Sequence, residues 1–409
     1  MSSHPPGDKL ALPERPNLRH LKDQAADLLA AGRATSVSDA QLQIARAYGF
    51  ASWPKLKAHV ESTAEVAELK RAIDANDLER VKALMTANPE LHRAPMGYGK
   101  DGPLTWVAEC RVPWEPPSAT RLAIAEWMLT HGSDVHRGGD APLMRAALNR
   151  DRTRMMALLV AHGANVNAAW HGHFPIIFAA CETVDPVTLG WLLDHGADPN
   201  CGGAERWRSS SYSEPGTALD CVIASYVRAP ERLHACIARL LAAGGTTPFD
   251  APGVLSILRG RGDELAALLA QNPDLVTRRF PELDFGVTGE RLLTLRGATL
   301  LHVAAEYGEL DAATELIERG ADVNARATID EAGVGGQTPI FHAATQPGDA
   351  GLEMIRLLLE RGADLSVRVQ LPGHYEHPGE VVTCNPLEYA QRFPGSGNRA
   401  VALLRERAG

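Results

Sequence analysis

The polar side chains best placed to do chemistry together are Glu109, Arg145 and Glu182. Each lies in or directly after one of three similar phrases, GPLTWVAE, APLMRAAL and FPIIFAAC. If these phrases stack as successive repeats, the arginine lies between two carboxylates. That arrangement can be a structural ion triad that ties neighbouring repeats together, or a polar floor that orients a ligand. The sequence leaves both interpretations open.

Further side chains fall on the same side of the recurring phrases and are predicted to line one groove. Trp106 and Phe178 would flank the polar floor as apolar walls. Three more residues occupy the corresponding positions later in the chain. The candidate groove contacts are therefore Trp106, Glu109, Arg145, Phe178, Glu182, His342, Tyr389 and Arg392.

Histidines in two loops raise the question of a metal site. In WHGHF, two histidines are separated by one residue, and alternate residues of a strand face the same side. No third ligand is evident there, so we expect solvent-exposed turn histidines and no metal site. The segment GHYEHPGE gives the same expectation. The candidate loop contacts are His171, His173, Trp207, His374 and Tyr375.

No complete catalytic motif is present in the sequence. The phosphate-binding motif G-x-x-x-x-G-K-[ST], the zinc-protease motif H-E-x-x-H and the hydrolase motif G-x-S-x-G do not occur. No catalytic residue is therefore assigned, and no cofactor is expected. Enzymatic activity remains an alternative, and it would require a pocket assembled from several repeats.

Composition limits the classes of partner. The chain has 409 residues and a formal net charge of −9, so it has no basic excess for binding nucleic acid or an anionic membrane. No apolar run is long enough to span a membrane. The six cysteines include no C-x-x-C pair, which predicts neither a disulfide framework nor a zinc knuckle. Together these features favour a cytoplasmic protein.

The elements that must position the candidate residues are short helices that recur in pairs. Phrases such as HGANVN and RGADVN follow Leu-rich helical stretches, and their glycines are predicted to end the helices in a left-handed conformation. These glycines are Gly132, Gly163, Gly196, Gly320 and Gly362. About twenty residues earlier, prolines are predicted in the first helical turn, and Thr299 and Thr338 are predicted N-caps.

This pattern of turn, inner helix, outer helix and glycine resembles the ankyrin repeat. The segment TLLHVAAEYGELDAATELIERGADVNA, residues 299–325, is close to that family's consensus. The resemblance implies an all-α solenoid of helix–turn–helix repeats with extended β-hairpin loops. It also implies that His302 is a structural hydrogen-bonding residue of the core.

The predicted domains are a helical N-terminal leader or cap at residues 1–62 and an ankyrin-repeat array at residues 63–409. The array would hold about eight or nine repeats and would be divergent around residues 202–297. AYGFASWPKLKAHV in the leader resembles a segment found in front of bacterial ankyrin arrays. Phe50 and Trp53 of that segment are predicted to cover the first repeat.

Five insertions distinguish this chain from a minimal array. They cover residues 112–120, 205–216, 280–297, 327–337 and 370–384, and long loops in a compact fold often carry function. We predict a binding protein that recognises a protein or peptide partner through its concave groove and long hairpins. The alternative is a small-molecule-binding protein or enzyme with its site under the inserted hairpins.

Overall fold

The computed structural model describes residues 10–13, 18–97, 99–202, 216–283, 285, 291–374, 376–377, 379–393 and 398–408. Contacts divide the chain into two units, Met1–Arg137 and Gly138–Gly409. In the described part of the chain, no helix combines the length and apolar character needed to cross a membrane.

The first unit consists of helical hairpins. Its helices are α1 (Leu18–Ala30), α2 (Val37–Ala47), α3 (Trp53–Asp74), α4 (Leu78–Ala87), α5 (Pro103–Glu109) and α6 (Ala119–Thr130), with a 3₁₀ helix at Pro89–Arg93. Helices α1, α2 and α3 pack around one apolar core, and Phe50 and Trp53 pack against it. Helix α3 runs across the predicted boundary at residue 62, and the division into leader and array remains a prediction.

The second unit continues the pattern of paired helices. Its helices are α7 (Arg137–Ala147), α8 (Thr153–Ala161), α9 (Ile176–Glu182), α10 (Pro186–Asp194), α11 (Ala218–Ala224), α12 (Pro230–Ala242), α13 (Val254–Leu258), α14 (Gly262–Gln271), α15 (Leu300–Tyr307), α16 (Leu310–Glu318), α17 (Pro339–Ala344), α18 (Leu352–Glu360), α19 (Pro386–Gln391) and α20 (Asn398–Ala408). A 3₁₀ helix lies at Pro273–Val276. Two antiparallel hairpins pair β1 (Ala169–Trp170) with β2 (Phe174–Pro175) and β3 (Val369–Pro372) with β4 (Val381–Cys384).

Within the second unit, the hairpins stack as a repeat array. The inner helices α9 and α11 pack together, and α13, α15, α17 and α19 form a continuous inner row. The outer helices α14, α16, α18 and α20 pack side by side in the same order, and α10 packs against α12. Small buried residues such as Ala304, Ala305, Ala343 and Ala344 allow this close approach of inner helices. The all-α repeat fold predicted from the sequence is therefore confirmed.

The glycines end the outer helices as predicted. All five have a positive φ, from 87° to 114°, which a residue with a Cβ rarely adopts. Asn88 and Asn272 replace glycine as the helix-ending residue of α4 and α14, and a 3₁₀ helix follows each. These two helices therefore end at an Asn-Pro sequence instead of a glycine.

Hydrogen bonds between hairpins join successive repeats. Asn324 donates from Nδ2 to the carbonyl of Gly362 (2.9 Å) and accepts the N–H of Asp364 (2.8 Å). Asn167 makes the same two contacts with Gly196 and Asp198. The repeated asparagine therefore fixes each turn to the next one along the chain.

His302 links an inner helix to the following hairpin. The main-chain N–H of Thr299, the N-cap of α15, donates to His302 Nδ1 (3.2 Å), and His302 Nε2 lies 3.1 Å from the carbonyl of Gln337. Accepting at Nδ1 makes Nε2 the donor. Burial lowers the pKa of His302 to about 3, so the ring is neutral. The residue is structural, as the family resemblance implied.

Proline placement follows the prediction with two exceptions. Pro142 lies inside α7, after three residues with a positive φ. Pro103, Pro339 and Pro386 stand at the start of α5, α17 and α19, and Thr338 is the N-cap of α17. Pro175 instead lies outside its helix, because it closes the β1–β2 hairpin and serves as the N-cap of α9.

Candidate functional site

A buried carboxylate, Glu306, lies at the centre of the most highly charged buried cluster among the described residues of the second unit. Its side chain is fully buried at the C-terminal end of α15. Arg228 approaches Oε1 at 2.6 Å, and Arg291 approaches Oε2 at 2.5 Å. His342 of α17 lies 2.7 Å from Oε2 through Nδ1. The arginine side chains are only 3% and 1% exposed, so both ion pairs lie out of contact with water.

Charge and burial fix the protonation states in this cluster. Burial alone raises the pKa of Glu306, but Arg291, Arg228 and His342 together hold that pKa well below its ordinary value. Burial lowers the pKa of His342 more than Glu306 raises it, so the imidazole is neutral and donates from Nδ1. Both carboxylate oxygens of Glu306 are engaged. The cluster is therefore suited to holding segments together rather than to transferring a proton.

The segments held by the cluster are irregular ones. Arg291 belongs to the insertion at residues 280–297, and its Nη1 donates to the carbonyl of Leu293 (3.1 Å). Arg228 belongs to the loop after α11; it donates to the carbonyl of Ser225 and lies 4.6 Å from the ring centre of Tyr307. Glu306 thus anchors both loops to the inner row of helices.

Three insertions of the second unit join one another through main-chain bridges. Arg291 pairs with His374, and Gly335 pairs with Gln370, in both cases antiparallel. The N–H of Thr328 donates to the carbonyl of Gly297 (3.0 Å). We call the insertions at residues 280–297, 327–337 and 370–384 the joined insertions. Their described residues form one connected layer across successive repeats.

Several predicted groove residues lie buried in this region. His342 and Tyr389 have no exposed surface, and Phe178 is 2% exposed. The hydroxyl of Tyr389 donates to the carbonyl of Pro372 in β3 (2.9 Å), so this side chain supports an insertion from inside. Arg392 is exposed and pairs with Glu380 (2.5 Å). The role of these residues as ligand contacts remains a prediction.

The remaining predicted groove residues are divided between the two units. In the first unit, Trp106 donates from Nε1 to the carboxylate of Asp74 (2.6 Å). The side chain of Glu109 is buried, and its Oε1 lies 2.7 Å from Nε of Arg111. In the second unit, Arg145 is buried and lies 5.5 Å from the ring centre of Trp170. Burial raises the pKa of the half-buried Glu182, and the charge of Arg145 partly opposes that shift. The predicted triad of Glu109, Arg145 and Glu182 remains a prediction.

The loop histidines occur in aromatic clusters. His171 and His173 lie with their ring centres 6.4 Å apart, and both contact the ring of Trp170. The ring centre of His374 lies 6.1 Å from that of His377 and 6.3 Å from that of Phe393, on which the His374 ring stacks. Within the described residues, no group of three or more His, Cys, Asp or Glu side chains could hold a metal ion. Trp207 and Tyr375 lie outside the described residues.

Sequence reasoning missed the two arginines of the buried cluster. Arg228 and Arg291 are in segments without repeat periodicity, where no helical register predicts the direction of a side chain. One signal was available for Arg291, since ERLLTLRG places that arginine next to an apolar run inside an insertion. Glu306, in contrast, falls on the predicted groove side of its inner helix.

Family models for ankyrin repeats agree with the fold. A family model for ankyrin repeats in three copies matches residues 263–369, and a model for a single ankyrin repeat matches residues 138–170. The chain is 25% identical to a solved structure of the human ASB11 ankyrin repeat domain, with a TM-score of 0.31; the match covers 64% of this chain and 97% of that one. No curated protein matches the chain. The stacked hairpins with left-handed glycine ends and the two family matches show that the chain contains ankyrin repeats.

Proposed function

We propose that this protein recognises a protein or peptide partner, and that the joined insertions form its binding surface. Ankyrin repeats are generally protein-interaction modules. The main-chain pairing of three insertions from successive repeats is the observation that carries the proposal. A minimal repeat needs no insertion, and surface loops held on a rigid scaffold are common binding elements.

The buried cluster supports this proposal because it pre-organises the surface. Glu306 anchors the first of the joined insertions through Arg291, and Tyr389 supports the last through Pro372. A loop that is already ordered loses less conformational entropy when it binds. The outer side of the layer offers exposed side chains, including Ile329 and Val381 at 52% and 48% exposure. Such residues can serve as apolar anchors for a partner.

A selection experiment tests the proposal. Peptides are selected from a random display library against the whole protein, and their affinity is then measured for two variants. In the first variant, residues 330–334 are replaced by Asn-Gly, a turn that keeps the Ile329–Gly335 bridge. In the matched control, Glu353 and Arg356, an exposed ion pair on the outer helix α18, are changed to Gln.

We expect the loop variant to lose at least about tenfold in peptide affinity, and the control variant to bind normally. Melting temperatures of both variants should match that of the unmodified protein. Equal affinity of the loop variant and the control would contradict a binding surface on the joined insertions. Failure to select any peptide would contradict peptide recognition itself.

One observation favours the small-molecule alternative. The fully buried Nε2 of His342 has no hydrogen-bond partner within the described part of the chain, and neither does Nε of Arg291. A small polar molecule bound beside either atom would supply the missing hydrogen-bond partner. A thermal-shift screen with small alcohols, amides and carboxylates tests this function. A shift that disappears in His342→Phe would support it, and unchanged melting with every compound would contradict it.

A further inference from the structure

Three arginines occupy the same position in successive repeats of the second unit. Each is exposed, and each directly precedes a buried residue that lies at, or one position before, the start of one of the joined insertions. The three are Arg279, Arg326 and Arg368, and the buried residues are Phe280, Ala327 and Val369. We call the three arginines the arginine row. Their equivalent positions place one cation per repeat along the base of the insertions.

Hydrogen bonds from arginine side chains to main-chain carbonyls connect the members of the arginine row. Arg279 donates from Nε to the carbonyl of Arg326 (2.8 Å). Arg326 donates from Nε to the carbonyl of Gly336 (3.1 Å) and from Nη2 to the carbonyl of Arg368 (3.5 Å). A carbonyl oxygen carries no net charge, so these bonds position the guanidinium groups without neutralising them. Each guanidinium retains further N–H donors for a partner.

The third arginine is held by a replaceable ion pair. Arg368 lies 2.8 Å from Glu388, and the two side chains are 51% and 44% exposed. An exposed pair of this kind contributes little stability. A carboxylate from a partner can therefore replace Glu388 at small cost.

The arginine row forms a local basic stripe in an acidic protein. Arg278 and Arg296, both exposed, lie in or beside the first of the joined insertions, whereas the whole chain has a net charge of −9. The acidic residues Asp330 and Glu331 lie in the turn between the bridge residues Ile329 and Gly335. Asp330 accepts main-chain N–H groups of its own loop. These two acidic residues therefore lie in the turn of their insertion, whereas the arginines of the row lie before the insertions begin.

We propose that the arginine row binds an extended acidic segment of the protein partner, whose Asp or Glu carboxylates pair with successive guanidinium groups. Guanidinium groups match carboxylates with two parallel hydrogen bonds, which gives this surface its chemical preference. This inference rests on the proposed function, since it names the partner class for the same surface. The overall negative charge disfavours a long nucleic acid, which carries a charge at every nucleotide.

Binding of a labelled oligoglutamate tests the proposal. The probe is long enough to span three repeats, and its fluorescence anisotropy is measured with the whole protein at low and moderate salt. The test variant is Arg279→Gln with Arg326→Gln, which keeps side-chain donors but removes both charges. The matched control is Arg154→Gln with Arg405→Gln, two exposed arginines on outer helices. Melting curves check that both variants fold.

We expect the test variant to bind the oligoglutamate about tenfold more weakly, and the control to bind like the unmodified protein. Equal losses in the two variants, or no binding at all, would overturn the proposal. Tighter binding of a single-stranded oligonucleotide of equal charge would also overturn it. If the selected peptides still depend on the 330–334 loop while oligoglutamate does not bind, the arginine row alone is refuted and the proposed function remains.

Discussion

Replacing Glu306 by Gln is the most informative perturbation of the buried cluster. The change keeps the shape of the side chain but removes the carboxylate that contacts both Arg228 and Arg291. Two guanidinium groups, 3% and 1% exposed, are then left in the interior without that charge partner. We therefore expect a substantial loss of stability, even though a buried ion pair contributes little when it is compared with an apolar replacement.

The magnitude follows from the geometry of the pairs. Breaking a buried ion pair by removing one partner costs about 3–5 kcal/mol. The amide in the Glu306→Gln variant would still accept a hydrogen bond through its carbonyl oxygen, so we expect about 3 kcal/mol. The pKa of Glu306 is held below its ordinary value of 4.5. The stability that the ionised carboxylate contributes to the folded protein is therefore present above pH 4.5 and is lost as the pH falls further. The Glu306→Gln variant should lack this acid-dependent loss.

Urea unfolding followed by circular dichroism measures the effect at neutral pH. The matched control is Glu315→Gln, which breaks an ion pair with Arg319 whose side chains are 31% and 35% exposed. This control should change the unfolding free energy by less than about 0.5 kcal/mol. If Glu306→Gln costs no more than the control, the reasoning about the buried cluster is wrong.

Three further predictions address other elements. Gly320→Ala should lower the unfolding free energy by about 1 kcal/mol, because Gly320 has a positive φ of 93°. The control Gly262→Ala should leave the unfolding free energy unchanged, because a Cβ at Gly262 also meets no neighbouring atom and the residue has no positive φ. Equal losses on urea unfolding would contradict a left-handed cap at Gly320. Burial lowers the pKa of His302 from 6.5 to about 3. The neutral ring therefore contributes fully to the free energy of unfolding above pH 6.5, and this contribution is lost as the pH falls toward about 3. The unfolding midpoint of the His302→Gln variant should depend less on pH. Trp106→Phe should cost about 1–2 kcal/mol by removing the donor to Asp74, and an unchanged melting temperature would contradict that contact.

Local chemistry made much of the repeat fold predictable. Gly320 and Gly362 end helices because a left-handed residue is needed there, and that requirement is visible in the sequence. Thr299 and Thr338 occupy the N-cap positions predicted for them, although the hydroxyl of Thr338 makes no capping hydrogen bond among the described residues. Pro175 departs from the pattern because a short hairpin, which the phrase FPII does not reveal, precedes its helix.

The candidate site was less predictable because it depends on contacts between distant segments. Arg228 and Arg291 reach Glu306 from loops that are separated from it by 78 and 15 residues. No periodicity relates those loops to the inner helix. Tyr389 was assigned to an inner-helix groove position, but the insertion at β3 covers it and makes it a buried support. Insertions therefore obscure positions that a repeat alignment assigns to an open groove.

Hydrogen–deuterium exchange with and without a selected peptide tests the central claim most directly. The claim is that the joined insertions form the partner-binding surface. We predict slower exchange on peptide binding in residues 327–337 and 370–384, with no change in the outer helices Thr153–Ala161 and Pro186–Asp194. Protection confined to the outer helices, with unchanged exchange in the joined insertions, would contradict the claim.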